Sequence, residues 1–422
     1  MVIERKKSLN TKINIPLYTV IAMVALTALT GLFNQMILSM GILFCCMVLF
    51  LCQKTYLGFP FMLFYSIFYG VVFGIAVMRI YTLLLIMEFV FRSTKNTTIK
   101  LKYLPPLFIY VVYLIIVMMP IGMMLAINVF IDMIACFILV IQLSDDGEAL
   151  KKFFRTYTVV CLCSFVSGIL VNNTIGDEYH ETRYLATFED PNYMGFFFTV
   201  AIFATITLKL FDKRIRYVIV IALYAMLLTS LSITAIVINV VMWMFYLIIM
   251  KKLKWWSIFI VAIVAVLLFS LYQYGIDHSD TPILGDFSKR IEEKFESAES
   301  GDMDDVTTNR TKLAKEHFQY YISSPFHTLL FGGIPVNPRY IYPDLKAAGH
   351  NEYIDMLLNI GILGAIIMLG YFFKNVIQYA KQYKKTKEDH HLCLIMIKML
   401  WACYALSLTV FLDFRFMTIF LL

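Results

Sequence analysis

Charge is the scarcest commodity in this sequence. Of 422 residues only 15% are Asp, Glu, Lys or Arg, while 60% are hydrophobic, and the mean hydropathy is +0.76. No soluble globular protein of this length reads this way, because apolar runs of about 20 residues recur along it. The chain also lacks a glycine-rich phosphate loop, a dinucleotide fingerprint, an internal repeat and any low-complexity segment. Its eight cysteines (Cys45, Cys46, Cys52, Cys136, Cys161, Cys163, Cys393 and Cys403) sit mostly inside apolar runs without zinc or redox spacing, so they read as packing residues. The ten-residue alternation of a membrane β-barrel is missing as well.

Long apolar runs are abundant, each long enough to span a hydrocarbon core about 30 Å thick. Backbone polar groups must be satisfied internally in lipid, so these runs predict an all-α, polytopic transmembrane helical bundle. The expected spans are 13–33, 36–52, 57–78, 80–91, 104–120, 123–143, 156–174, 191–208, 217–231, 233–250, 257–273, 350–373 and 392–412. The stretches 57–91 and 217–250 are short for the crossings they must make, so the expectation is about twelve helices. Three regions follow: a bundle over 1–273, an extracytoplasmic loop over 274–349, and C-terminal transmembrane helices over 350–422. The loop is far longer than the usual connection of about 4–6 residues. Its aromatic, Pro- and Gly-containing stretch 316–343 and the charge pattern of 286–300 predict a partly helical, ordered segment.

Lys and Arg are distributed unevenly among the short loops. By the positive-inside rule, Arg5, Lys6, Lys7 and Lys12 place the N-terminus in the cytoplasm, and the apolar part beyond them runs past residue 30 as a retained first helix. The same rule puts the loops holding Arg92, Lys95, Lys100 and Lys102, Lys151, Lys152 and Arg155, Lys209, Lys213, Arg214 and Arg216, and Lys251, Lys252 and Lys254 on that side. It also puts there Lys374, Lys381, Lys384, Lys385 and Lys387. These loops account for the net charge of +7. Their dispersal among apolar spans excludes a nucleic-acid-binding face.

Two outer segments carry polar groups at the mouths of helices. The sequence GHNEYIDMLLNIGILG (349–364) places His350, Asn351 and Glu352 where the long loop re-enters the membrane. Asn351, Asp355 and Asn359 recur every four residues, with Glu352 and Asp355 three apart, which draws one polar stripe down an apolar helix. Such a stripe must face the bundle interior or a wet cavity. Capping and interhelical hydrogen bonds explain it as readily as a binding site does. His350 shifts the balance towards chemistry, because an imidazole takes up a proton near neutral pH. In the other outer segment, 175–190, Arg183 precedes FEDPN, where Asp190 and Pro191 form a helix start. Arg310, in TTNRTKLAKEHF, stands at a further helix start that suits an anionic phosphate, although position alone favours a surface arginine in a solvated loop, just as Arg183 alone reads as a snorkelling surface charge.

This order of elements resembles the O-antigen ligase and polymerase superfamily of membrane glycosyltransferases, best over residues 183–370. Members commonly show R-x-x-G-x-F-x-D-P-N. Here RYLATFEDPN retains Arg183, Phe188, Asp190, Pro191 and Asn192, with Ala186 in place of the glycine. A later T-x-S-R-T-A-like turn is represented by LTSLSITAI, which retains Ser232, Thr234 and Ala235 but has Ile233 where arginine is usual. The HNEYIDMLLNIGILG stretch is the closest match. The resemblance implies transfer of a glycan from undecaprenyl diphosphate to a sugar hydroxyl at the outer face of a bacterial plasma membrane. It casts His350 as general base and Arg183 and Arg310 as the diphosphate clamp. Asp190, Asn192, Asn351, Glu352 and Asp355 are supporting residues. No metal and no cofactor are expected, although Asp302, Asp304 and Asp305 are acidic and on the same side. The implied partners are an undecaprenyl-diphosphate-linked oligosaccharide and the lipid bilayer, with a chain-length regulator and a flippase as further protein partners. Aromatics of the long loop, among them Tyr320, Tyr321, Phe326, Tyr340 and Tyr342, serve equally for stacking on sugar rings or for fixing the loop. Within the resemblance, polymerisation of a surface polysaccharide (O-antigen, capsule or exopolysaccharide) is preferred over ligation to another acceptor. A lipid-linked oligosaccharide flippase or transporter is disfavoured, because the notable polar groups collect on one side and the halves are not duplicated.

Overall fold

The structure is a computed structural model, and it describes residues 14–29, 35–65, 71–72, 75–93, 104–144, 146–172, 174–176, 182–188, 190–250, 270, 273–277, 284–301, 309–334, 350–408 and 414–422. The expected span 257–273 lies almost wholly outside these residues. So do the N-terminal basic residues, Lys95, Lys100, Lys102, Lys251, Lys252, Lys254, the acidic group at 302–305, Tyr340 and Tyr342.

The described chain is predominantly helical. In order it forms α1 (Ile15–Ala28), α2 (Gln35–Leu51), α3 (Phe59–Tyr65), α4 (Val77–Ser93), α5 (Leu104–Tyr113), α6 (Met123–Ser144), α7 (Gly147–Leu170) and α8 (Pro191–Thr207). Then come α9 (Lys213–Leu228), α10 (Ile233–Ile249), α11 (Leu284–Glu299), α12 (Arg310–Ile322), α13 (Phe326–Phe331), α14 (Glu352–Thr386), α15 (Asp389–Tyr404) and α16 (Phe414–Leu421). Two short antiparallel ribbons interrupt them, β1 (Val71–Val72) with β2 (Ile75–Ala76), and β3 (Thr174–Gly176) with β4 (Thr182–Tyr184).

Among the described residues three helices are long and apolar enough to cross a membrane, over Ala126–Ser144, Gly147–Leu170 and Glu352–Thr386. Shorter apolar helices cover Ile15–Ala28, Met36–Leu51, Thr55–Phe64, Pro105–Ile121, Pro191–Thr207 and Ile233–Ile249. The expected helix over 57–78 is not continuous. A 3₁₀ turn at Thr55–Gly58 leads into α3, and β1 and β2 follow before α4 begins. Pro60 stands in the first turn of α3, where proline is tolerated, so it marks where this helix begins. The first part of the outer link 175–190 is likewise a ribbon, with Ile175 opposite Arg183.

α8 is the centre of the bundle, and nearly every residue along it is buried. It packs against α7, α9, α10 and α15. A Cβ at Gly195 would come within 2.6 Å of the Ala235 Cβ, so glycine allows α8 and α10 to approach closely. Phe188 and Phe197 stack at 5.1 Å, and Phe64 meets both edge-on, at 5.4 and 5.9 Å.

α14 and α15 form a long hairpin. Over its 35 residues, at about 1.5 Å per residue, α14 extends roughly 50 Å, which exceeds a hydrocarbon core. Lys374, Lys381, Lys384 and Lys385 therefore stand on helix, not on a loop. Lys387 takes the left-handed conformation that reverses the chain. The hairpin closes at its other end where the Glu352 amide donates to the Ala405 carbonyl at 2.7 Å. The bundle thus has a His350 end and a far end, and the far end holds the α14–α15 turn.

At α16 the last carbonyls have no partner within their own helix. Lys398 donates to the Phe420 carbonyl at 2.7 Å, Tyr371 to that of Leu421 at 3.3 Å, and Tyr379 to that of Leu422 at 2.9 Å.

Candidate functional site

The site grows from a break in α14. Gly361 has φ 66 and ψ 178, a conformation open essentially to glycine alone, and it divides the helix into an upper piece of about two turns and a long lower piece. The break removes the helical donors for the preceding carbonyls. The 309–334 segment supplies replacements, with Gly333 donating to the Asn359 carbonyl at 3.2 Å and Ile334 to that of Leu358 at 3.1 Å. Tyr321 of α12 binds the lower piece by accepting from the Ile362 amide, and donates to the Leu329 carbonyl at 2.6 Å. A small apolar cluster of Tyr321, Ile334 and Leu358 fills the space between. The loop segment 309–334 is thereby held against the top of α14.

This docking brings α12 side chains to the upper piece of α14. His317 and Asp355 are both fully buried, and His317 Nδ1 stands 3.2 Å from Asp355 Oδ1. Arg310 is the first residue of α12, seven positions before His317, so the two share a face. The helix behind Arg310 adds positive potential at its N-terminus.

His350 lies just before α14, half-buried, with φ 49. A non-glycine residue in that region stores backbone strain, and such positions collect at functional sites. Burial pushes its imidazole below the ordinary histidine range, and the Arg310 guanidinium pushes in the same direction. The Asp190 and Asp355 carboxylates oppose this, and His317 adds a little to the lowering. Four groups from three separate segments therefore act on one imidazole, which is neutral at physiological pH.

Asp190 arrives through the start of α8. Its carboxylate accepts from the Asn192 amide at 2.6 Å and from Asn192 Nδ2 at 2.9 Å, which caps the helix as expected. Asn192 in turn accepts from the Ser232 hydroxyl at 2.8 Å, and Ser232 caps α10 by accepting from the Ala235 amide at 3.2 Å. A chain of hydrogen bonds thus ties the DPN turn to the LTSLSITAI turn. Arg183 lies in β4, one residue before Tyr184, whose amide donates to the Thr229 carbonyl at 3.3 Å, so its backbone runs beside the same turn. The Arg183 side chain lies outside the described residues. Ala186, where the resembled motif carries glycine, has φ 51, the left-handed region in which glycine is at ease.

The supporting residues divide by role. Glu352, Asp355 and Asn359 are buried, so the polar stripe faces inward as expected. Asn351 precedes the helix as its cap, accepting from the Ile354 amide at 3.3 Å. The Asp355 carboxylate orients His317, a residue to which the sequence reading gave no part. Glu352 faces elsewhere, close enough to Tyr110 and Tyr113 to interact electrostatically. The spacing from Arg310 to His317, two helical turns, was the available signal for His317. Its partner on α14 is visible only after docking.

No protein-family model matches this sequence, and no curated protein matches it either.

Proposed function

We propose that the chain is a membrane glycosyltransferase that polymerises a surface polysaccharide from repeat units linked to undecaprenyl diphosphate. The observation that carries this reading is His350, held neutral and strained at the mouth of α14 within the electrostatic reach of Arg310, Asp190, Asp355 and His317.

The chemistry needs a base for the acceptor and cations for the leaving group. The acceptor hydroxyl oxygen attacks the anomeric carbon, His350 takes the hydroxyl proton, and the bond from that carbon to the diphosphate oxygen breaks. Undecaprenyl diphosphate leaves with the electron pair, and the anomeric configuration inverts. A base of this kind contributes about 10²–10⁴-fold. Asp190 and Asp355 stabilise the imidazolium as it forms. Arg310, with Arg183 as the second clamp, neutralises the diphosphate by bidentate contact. The donor's own diphosphate supplies the driving force, which accords with the lack of a nucleotide-binding fingerprint in the sequence.

An apolar cavity of about 240 Å³ lies between α5 and α14, just below the site. Phe108, Tyr113, Ile116, Phe331, Asn359 and Leu363 line it, and Phe108, Ile116, Phe331 and Leu363 are exposed at its rim. An isoprenoid chain entering sideways from the bilayer suits such a groove, with its diphosphate reaching up to Arg310.

Reconstitution in liposomes with a defined undecaprenyl-diphosphate oligosaccharide tests the proposal. Ladder-like products that require His350 support polymerisation, and single transfer to a different acceptor identifies a ligase. No transfer to any acceptor refutes the reading.

A further inference from the structure

The far end of the bundle carries a second cluster of polar groups that glycosyl transfer does not use. Glu388 occupies the N-cap position of α15, yet its side chain makes no capping hydrogen bond. It turns instead to two imidazoles. Its Oε2 stands 3.4 Å from His391 Nε2 and 3.7 Å from His390 Nδ1. The ligand atoms of all three residues lie within 4.8 Å of one another. Atoms bound to one tetrahedral ion at about 2.0–2.2 Å stand roughly 3.3–3.6 Å apart, so the carboxylate and imidazoles need little movement to share one.

His391 is the more enclosed of the two imidazoles. It is only 9% exposed, its ring stacks near that of Tyr379, and its Nδ1 has no hydrogen-bond partner. The one ring nitrogen with a polar neighbour is Nε2, and it points at Glu388. Around the cluster opens a cavity of about 450 Å³ lined by Asp146, Gly147, Glu148, Lys151, Glu388, Asp389 and His390. Carboxylates outnumber ammonium groups there. Lys151 approaches Glu148 at 3.5 Å, and Lys209 binds Asp389 at 2.8 Å. Among the described residues the ion-pair contacts of Glu388 are to the two imidazoles, so its carboxylate is not taken up by a lysine.

We infer that Glu388, His390 and His391 bind one divalent first-row transition-metal ion at the α14–α15 turn. Two imidazoles and one carboxylate suit Zn²⁺, Ni²⁺ or Co²⁺ better than Mg²⁺ or Ca²⁺, which prefer all-oxygen sets. The remaining coordination positions face the open cavity and are filled by water. The ligands lie on a fixed reversal of the chain. Lys387 is left-handed with its amide on the Tyr383 carbonyl at 2.9 Å, and the Glu388 amide donates to Thr386 Oγ1 at 3.3 Å. The ion therefore clamps the turn between two long helices, and through Asp389 and Lys209 it is coupled to the end of α8.

The full-length protein, purified in detergent through a tag free of histidine and stripped with EDTA, is titrated with ZnCl₂ by calorimetry. Co²⁺ binding is followed by visible absorption. The wild type should bind one ion per chain and gain thermal stability on binding. Glu388→Gln and His390→Ala, both at partly exposed positions, should each weaken binding on the order of 100-fold or more. His350→Ala should bind as wild type does, so this inference and the glycosyl-transfer reading fail separately. Absence of saturable binding to the wild type, or equal binding by Glu388→Gln and His390→Ala, would overturn it.

Discussion

Replacing Gly361 by alanine should detach the 309–334 segment from α14 without dismantling the bundle. At φ 66 and ψ 178 the backbone is in a region that costs an L-residue roughly 1–3 kcal/mol. A Cβ there would overlap the Leu330 carbonyl and come within 2.5 Å of the Gly332 amide nitrogen. Overpacking of this kind costs typically about 1–3 kcal/mol. Relieving the clash by moving 330–334 away breaks the bonds from Gly333 to Asn359 and from Ile334 to Leu358, each worth about 1 kcal/mol. Docked, the variant carries the strain and the overlap, roughly 2–6 kcal/mol; released, it gives up the two hydrogen bonds, about 2 kcal/mol, and the apolar contact of Tyr321, Ile334 and Leu358. The cheaper response is local release of 309–334, which carries Arg310 and His317 away from His350. Hydrogen exchange read by mass spectrometry should show lost protection at Gly333, Ile334 and along α12, with α8 still protected. Unchanged protection at Gly333 and Ile334 would refute the account of how the site is assembled. Transfer activity should fall with the protection.

Further outcomes concern the site residues, the pH profile and two packing contacts. His350→Ala should abolish polymer at normal protein level and membrane insertion, and Arg310→Lys should lose most activity while retaining charge; full polymer in either removes that residue's role. The rate should hold through neutral pH and fall only below the ordinary histidine value of about 6.5, because the neutral imidazole is the active form. Asp190→Asn removes a carboxylate that raises the His350 pKa, so it should move this acid limb further down, and a limb above pH 6.5 contradicts the assignment. The same lowered pKa makes folding less favourable as pH falls below 6.5, since the unfolded chain takes up the proton more readily. Lys398→Met orphans the Phe420 carbonyl and should cost about 1–3 kcal/mol, seen as a lower melting temperature; an unchanged one would show the contact to be idle. Ala186→Gly trades a left-handed strain of about 1–2 kcal/mol against the entropic cost of glycine, about 0.5–1 kcal/mol, so it should stabilise slightly, and a lower melting temperature would contradict that reading.

Much of the helix pattern was legible because hydrophobic runs and caps are local. The expected spans over 123–143, 191–208 and 233–250 fall within a residue of α6, α8 and α10, and Asp190 and Ser232 cap helices where a polar residue precedes an apolar run. The region 57–78 departs from one continuous helix because hydropathy measures apolar length and does not distinguish helix from the β1–β2 ribbon that follows α3. The break at Gly361 was equally hidden. NIGILG reads as a continuous apolar helix, and only the neighbouring loop shows why the chain turns there.

The sequence by itself determined the solvent of this protein and the polarity of its helix mouths, because apolar length and capping are properties of a short stretch. It also named His350, Arg310 and Asp190, which the structure brings within electrostatic reach of one another. The tertiary structure decided that Asp355 serves His317, that Glu352 faces the tyrosines, and that Glu388, His390 and His391 converge. Those pairings depend on how helices distant in sequence are packed and rotated about one another. A run of residues fixes its own periodicity but not the face that a remote neighbour will meet.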